Sequence, residues 1–242
     1  MIRAKNEARF IGETLQAVLD PVALPPRQVI VVDSGSTDGT QAVVRSFAAH
    51  LIQITPEEFT YGYALNLGVA HVDSEIVATL SAHSLPANPG WLRNLLTPFF
   101  RPRVAGVYGR QLPRANATPL ELIGMRLTGV LSESPKLLDR RPLFSNANGA
   151  FRRSLWLEHP FDERVSGAED IAWVRTMQER GYVIAYEPTA VVYHSHGEPI
   201  GRHLRRASRD IPTVVGNFLH LGSGGRPTPK HKPDPATRPA PD

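Results

Sequence analysis

A chain of 242 residues with 41% hydrophobic and 21% charged residues is that of a folded soluble protein, one domain or one domain with an extension, and excludes a disordered or fibrous chain. The absence of cysteine removes disulfides, thiolate metal sites and a cysteine nucleophile, and makes a reducing compartment, the cytoplasm, the default expectation. The formal charge of +4 is too mild for a nucleic-acid binder, since the tail Ser223 to Asp242 supplies +2 of it, and no apolar run resembles a signal peptide or approaches a membrane span.

Apolar runs rich in β-branched residues alternate with helical patterns, which predicts an α/β fold with a mostly parallel central sheet flanked by helices. Met1 to Ala4 has the character of the end of a strand whose beginning is missing. A helix is expected over Asn6 to Leu19, where Phe10, Ile11, Leu15, Val18 and Leu19 share helical spacing. A buried strand, Gln28 to Asp33, leads to a helix over Gly39 to Ala49 and a strand over Leu51 to Thr55. A helix over Tyr63 to His71, a strand over Ile76 to Ser81, a helix over Asn88 to Phe100 and a strand over Ala105 to Arg110 follow. The alternation loosens through Leu120 to Leu131. It resumes with a strand at Gly149 to Arg152, a helix from about Ala168 to Arg180 that Gly181 ends, and short strands at Val183 to Tyr186 and Ala190 to Tyr193. Residues 1–222 are expected to form one domain. The Pro-rich tail 223–242 cannot bury enough apolar surface to order itself.

In an open α/β sheet the ligand cleft lies beyond the carboxyl ends of the strands. Asp33 stands at such an end, where a carboxylate can accept hydrogen bonds from a nucleobase or ribose, and Ser34, Gly35, Ser36, Asp38 and Gly39 supply a tight polar turn. The same residues also suit a structural cap on that turn. No G-x-G-x-x-G follows a strand, which disfavours a nicotinamide-binding domain.

Several stretches in order, Lys5-Asn6-Glu7, VVDSGSTDGT at 31–40, Ala64-Leu65-Asn66, Gly149-Ala150-Phe151, Phe161-Asp162-Glu163, and Glu169-Asp170 with Arg175, resemble the family 2 glycosyltransferases of the GT-A fold. The resemblance implies an inverting, single-displacement transfer of a sugar from a nucleotide diphosphate donor to an acceptor hydroxyl, in polysaccharide or glycolipid synthesis. Donor binding is expected at Glu7, Asp33, Ser34, Ser36, Asp38, Asn66 and His83, with UDP or dTDP as the expected nucleotide. Asp170 becomes the candidate base and Glu169 the neighbour that orients a carbohydrate or lipid-linked acceptor. Both carboxylates stand where a helix begins, and a helix amino terminus favours the ionised form.

One element departs from the family. Relatives usually carry an Asp-x-Asp that holds Mg²⁺ or Mn²⁺ after the strand Ile76 to Leu80; here the stretch is Ser81-Ala82-His83-Ser84. The candidate metal ligands are then His83 and His196, and imidazole suits Mn²⁺ or Zn²⁺ better than Mg²⁺. His194 and His196 point to opposite faces of an extended chain, so one of the two enters the cleft, with His196 preferred. Direct binding of the diphosphate by His83, Arg or Lys is the alternative to a metal, and a nucleotide-sugar-binding protein without catalysis is the alternative to an enzyme. Arg202, Arg205, Arg206 and Arg209 form one helical face, either solvated or in peripheral contact with acidic headgroups.

Overall fold

A computed structural model describes residues 1–115, 117–165, 167–195 and Gly201; His196, the arginine face and the Pro-rich tail lie outside the described residues. The strands are β1 (Ile2–Ala4), β2 (Ile30–Asp33), β3 (His50–Gln53), β4 (Ile76–Ser81), β5 (Leu85–Pro86), β6 (Val104–Leu112), β7 (Lys136–Leu138), β8 (Asn148–Arg152) and β9 (Val183–Tyr193). The helices are α1 (Ile11–Val18), α2 (Thr40–Arg45), α3 (Tyr61–Ala70), α4 (Trp91–Leu96), α5 (Pro119–Thr128), α6 (Arg153–Glu158) and α7 (Glu169–Glu179).

Among the described residues the strands form one sheet in the order β3-β2-β1-β4-β8-β6-β9-β5, with β7 on β9. The parallel expectation holds over β3-β2-β1-β4 and for β6 on β9, while β8 enters antiparallel between β4 and β6. Alternation within each strand then divides the apolar residues between two cores. Ile30 and Val32 face α3, α6 and α7 through Leu65, Trp156 and Trp173; Ile2 and Val31 face α1, α2 and α4 through Leu15, Val44 and Trp91. The three tryptophans are all core residues.

The differences from expectation have local causes. The first helix begins at Ile11 because Asn6 takes a left-handed φ of 55° and spends its side chain on the next loop, accepting from Thr37 N at 2.8 Å. Helix α5 is sharply started by a capping box, in which Thr118 accepts from the Glu121 amide and Glu121 accepts from that of Thr118. The T-x-x-E signal at 118–121 is present in the sequence. The two short final strands are one strand, β9, bent where its register with β6 shifts between Gly109 and Arg110.

That shift depends on a glycine. A Cβ on Gly109 would stand 2.1 Å from Ala190 O and 2.4 Å from Asn148 Nδ2, the amide that bonds Ala190 O at 2.9 Å and Arg110 O at 3.1 Å. Gly109→Ala is expected to lower stability in urea by about 3 kcal/mol, the upper end of ordinary overpacking. Gly124→Ala on α5, where a Cβ meets nothing within 4 Å, is expected to be neutral or slightly stabilising.

Candidate active site

The carboxyl ends of β1, β2 and β4 lie side by side, with Ala4 paired to Asp33 and Arg3 to Ser81. The loops that leave β1 and β2 are laced together. Lys5 Nζ donates to Ser34 O at 2.9 Å and to Gly35 O at 2.5 Å. Asn6 N donates to Ser36 Oγ at 2.8 Å, Glu7 N to Thr40 Oγ1 at 2.7 Å and Ala8 N to Asp38 Oδ2 at 3.1 Å. Gly35, at φ +79°, supplies the left-handed turn, and a Cβ there would press on the Pro56 ring at 2.9 Å.

The polar residues expected at the donor therefore hold the turn itself. Asp33 is 0% exposed; its Oδ1 accepts from Ser36 N at 2.9 Å and Gln41 Nε2 at 2.7 Å, and its Oδ2 from the Ser36 hydroxyl. Ser34 is buried and its hydroxyl donates to Ala4 O at 3.3 Å. Burial acts to raise the Asp38 carboxyl, but hydrogen bonds from Thr40 and Ala8 outweigh it and hold its pKa below the ordinary value. Asn66 serves a different joint. Its amide donates to Phe161 O at 2.9 Å and Glu163 Oε1 at 2.8 Å, and accepts from Trp156 Nε1 and Phe161 N. It ties α3 to the 161–163 loop rather than joining the strand-end cluster.

His83, beyond β4, is fixed from two directions. Its Nδ1 meets Glu7 Oε1 at 2.7 Å, and its ring stacks on His194 with centroids 4.9 Å apart and planes 14° from parallel. Of the two histidines after β9, His194 thus joins His83, while His196 lies outside the described residues.

Glu169 and Asp170 open α7, and the residues that hold them were not visible as motifs. Arg3, odd-numbered on β1 and so turned toward the α7 side of the sheet, places Nη1 3.5 Å from Glu169 Oε1 and its guanidinium 4.9 Å from the Tyr61 ring centroid. Asn146 bridges the pair: its side chain donates to Glu169 Oε1 at 3.2 Å, its backbone N–H to Asp170 Oδ2 at 3.3 Å, and its Oδ1 accepts from Thr79 Oγ1 at 3.2 Å. Asp170 Oδ1 accepts from Ile171 N at 2.9 Å. The expectation that the helix terminus favours the ionised form is reversed for Asp170. Burial, and then the Glu169 charge, push its carboxyl up to about 7 against the hydrogen bonds from Asn146 and Ile171 and the charge of Arg3.

A family model described as glycosyl transferase family 2 matches residues 1–154. The chain belongs to this family. It is 35% identical over 180 residues, 71% of its own length, to the O-antigen chain rhamnosyltransferase WbaN of Salmonella anatum, and 32% identical over 198 residues, 76% of its length, to RfbN of Salmonella typhimurium, of the same description. It spans 57% and 63% of the lengths of these relatives. The mannosyltransferase PcManGT of Pyrobaculum calidifontis, solved with GDP-Man and Mn²⁺, superposes with a TM-score of 0.70 at 25% identity over 93% of this chain and 64% of that one. The glycosyltransferase GT-A fold expected from the resemblance is therefore present.

For a metal such as the Mn²⁺ of the PcManGT structure, one of the two candidate ligands, His196, lies outside the described residues. No three His, Cys, Asp or Glu side chains among them converge as a ligand set. A first-row metal sits about 2.1 Å from an imidazole nitrogen, in the ring plane along the lone pair. The nearly parallel rings of His83 and His194 direct their lone pairs along separate planes, so one ion between them would lie out of both.

The Asp170 carboxyl offers a direct check. Its folded pKa is raised above the unfolded value, so it contributes stability that is complete below about pH 4 and is lost as pH rises through about 7. Urea titrations are expected to show a loss of stability between about pH 4 and pH 7 in the unaltered protein that is smaller in Asp170→Asn.

Proposed function

We propose that this protein is an inverting glycosyltransferase that moves a sugar, a deoxyhexose such as rhamnose, from a nucleoside diphosphate to a hydroxyl of a growing O-antigen-type polysaccharide. The observation that carries the reading is the Glu169–Asp170 pair, held beside the end of β1 by Arg3 and Asn146 with the Asp170 carboxyl pushed up to about 7. Family membership and the rhamnosyltransferase relatives support the same activity.

In the proposed reaction the Asp170 carboxylate takes the proton of the acceptor hydroxyl as that oxygen attacks the anomeric carbon from the face opposite the diphosphate. The bond from carbon to the diphosphate oxygen breaks, the electron pair leaves with the nucleoside diphosphate, and the configuration inverts. A base with a pKa near the working pH combines a useful ionised fraction with a strong pull on the proton. Glu169, ion-paired to Arg3, stays beside it as an acceptor for neighbouring sugar hydroxyls.

The nucleoside is assigned to the β1 and β2 loops. Gln41 donates to Asp33 Oδ1 where a nucleobase N–H can take its place, and UDP or dTDP is the donor nucleotide proposed. The acceptor is a carbohydrate, free or lipid-linked. Among the described residues no helix is long and apolar enough to cross a membrane.

A panel of UDP-, dTDP- and GDP-sugars, assayed for transfer and hydrolysis, tests the proposal. Transfer is expected from a pyrimidine nucleotide sugar, with kcat falling 10²-fold or more in Asp170→Asn, the usual contribution of a general base. Binding without turnover across the panel would make the protein a nucleotide-sugar binder instead. The acid limb of kcat is expected near pH 7 and, because Glu169→Gln removes a negative neighbour, at lower pH in that variant.

A further inference from the structure

We infer that Arg114 is a ligand for the donor's diphosphate, a reading that rests on the proposed nucleotide-sugar chemistry. The residue lies two positions beyond β6, and its surroundings tie it to the His83 cluster: Arg114 N donates to Ser195 Oγ at 3.3 Å, and the preceding His194 is the residue stacked on His83. The loop beyond β4, where His83 stands, is anchored against α1 by the Thr14 hydroxyl on Ala82 O at 2.9 Å. Glu13 of α1, and Phe10 just before it, are the groups that meet Arg114.

The guanidinium is held on one side only. Nη1 stands 3.7 Å from Glu13 Oε2, and the plane lies 4.7 Å from the centroid of the Phe10 ring. Nε and Nη2 are both buried and have no hydrogen-bond partner among the described residues. These two nitrogens are neighbours on the side-on edge of the guanidinium, the fork whose parallel N–H groups match two oxygens of a phosphate or carboxylate. Other arginines leave a single buried nitrogen without a hydrogen bond, Nη1 of Arg3 and Nε of Arg110 and of Arg153; Arg114 leaves the two that form the fork.

A buried, charged donor pair without acceptors is costly and calls for an explanation, and a bidentate oxyanion supplies one. The Glu13 contact is long and Glu13 is mostly exposed, so it holds the side chain without neutralising it. The ligand implied is an oxyanion with two oxygens spaced to meet the fork, and in the proposed chemistry the donor's diphosphate is the oxyanion that the cleft receives. The leaving diphosphate gains negative charge as the sugar departs, so an arginine fork on it stabilises the transition state more than the ground state.

The test is calorimetric binding of inorganic pyrophosphate and of UDP in excess EDTA, to the full chain and to Arg114→Ala, Arg114→Lys and Asp33→Asn. Pyrophosphate is expected to bind the unaltered chain. Arg114→Ala should weaken both ligands tenfold or more, Arg114→Lys should restore part of the loss because it keeps the charge without the fork, and Asp33→Asn should weaken UDP alone. Pyrophosphate affinity unchanged in an Arg114→Ala protein that unfolds at the normal urea concentration would overturn the assignment. So would equal loss of pyrophosphate binding in an Asp33→Asn protein that unfolds at the normal urea concentration. Failure of every nucleotide sugar in the donor panel, with pyrophosphate binding still lost in Arg114→Ala, would instead remove the proposed function and leave the anion site standing.

Discussion

Two carboxylates next to each other in sequence, one buried and one half-buried, cannot both ionise cheaply, and the organisation of this protein around α7 follows from that constraint. One guanidinium, from Arg3, reaches them. It comes from the central strand of the parallel half, and it arrives on the correct side because Ile2 and Ala4 face the α1 core and leave Arg3 on the opposite surface. The ion pair goes to Glu169, and Asp170 keeps its proton to higher pH. Asn146, fixed in turn by Thr79 of β4, touches both carboxylates and sets the distance over which they repel. The reactivity proposed for Asp170 is thus a property of the sheet's layout as much as of the residue.

At the other end of the cleft the loops are organised by self-satisfaction. Asp33, Ser34, Ser36 and Asp38 spend their hydrogen bonds on one another, on Gln41 and Thr40, and on the loop that leaves β1. A binding loop rigid before its ligand arrives loses less entropy on binding. The cost is competition: a nucleoside that reaches Asp33 must exchange for the Gln41 amide, whose own carbonyl is already taken by Gln53 at 2.5 Å. Recognition there is an exchange of hydrogen bonds, a sharper selector of ligand geometry than of ligand affinity.

What could be read in advance divides along the same physical lines. The strands of the parallel half and the turn after Asp33 announce themselves through local composition and periodicity, whereas the Glu169–Asp170 pair was singled out by the family resemblance. Helix α5 falls where the alternation loosens and was not expected, although its T-x-x-E capping box was there to be read. The long β9 was not legible, because the bend at Gly109 depends on Ala190 approaching from 81 residues away. Arg3, Asn146 and Arg114 escaped for the same reason, since each is an ordinary residue type whose role is set by partners across the fold. Asn66 carries a family signature, yet its amide is filled by Trp156, Phe161 and Glu163, so its pattern reports a joint between elements.

The charge balance of the cleft gives the Ser81-Ala82-His83-Ser84 stretch its meaning. An Asp-x-Asp pair and a divalent cation sum to zero, so losing both carboxylates and the ion together leaves the net charge facing a diphosphate unchanged. Losing the carboxylates alone would leave a cation with too few hard ligands. Among the described residues His83 is engaged by Glu7 and stacked on His194, and in the adjoining turn the Arg114 guanidinium fork has no hydrogen-bond partner. A point charge of two units polarises more strongly than a delocalised guanidinium, but the guanidinium brings fixed direction, and in a site shielded from water direction recovers part of what charge density gives up. On the Arg114 inference, a side-chain cation faces the leaving group beside the stretch where the family pattern places two carboxylates.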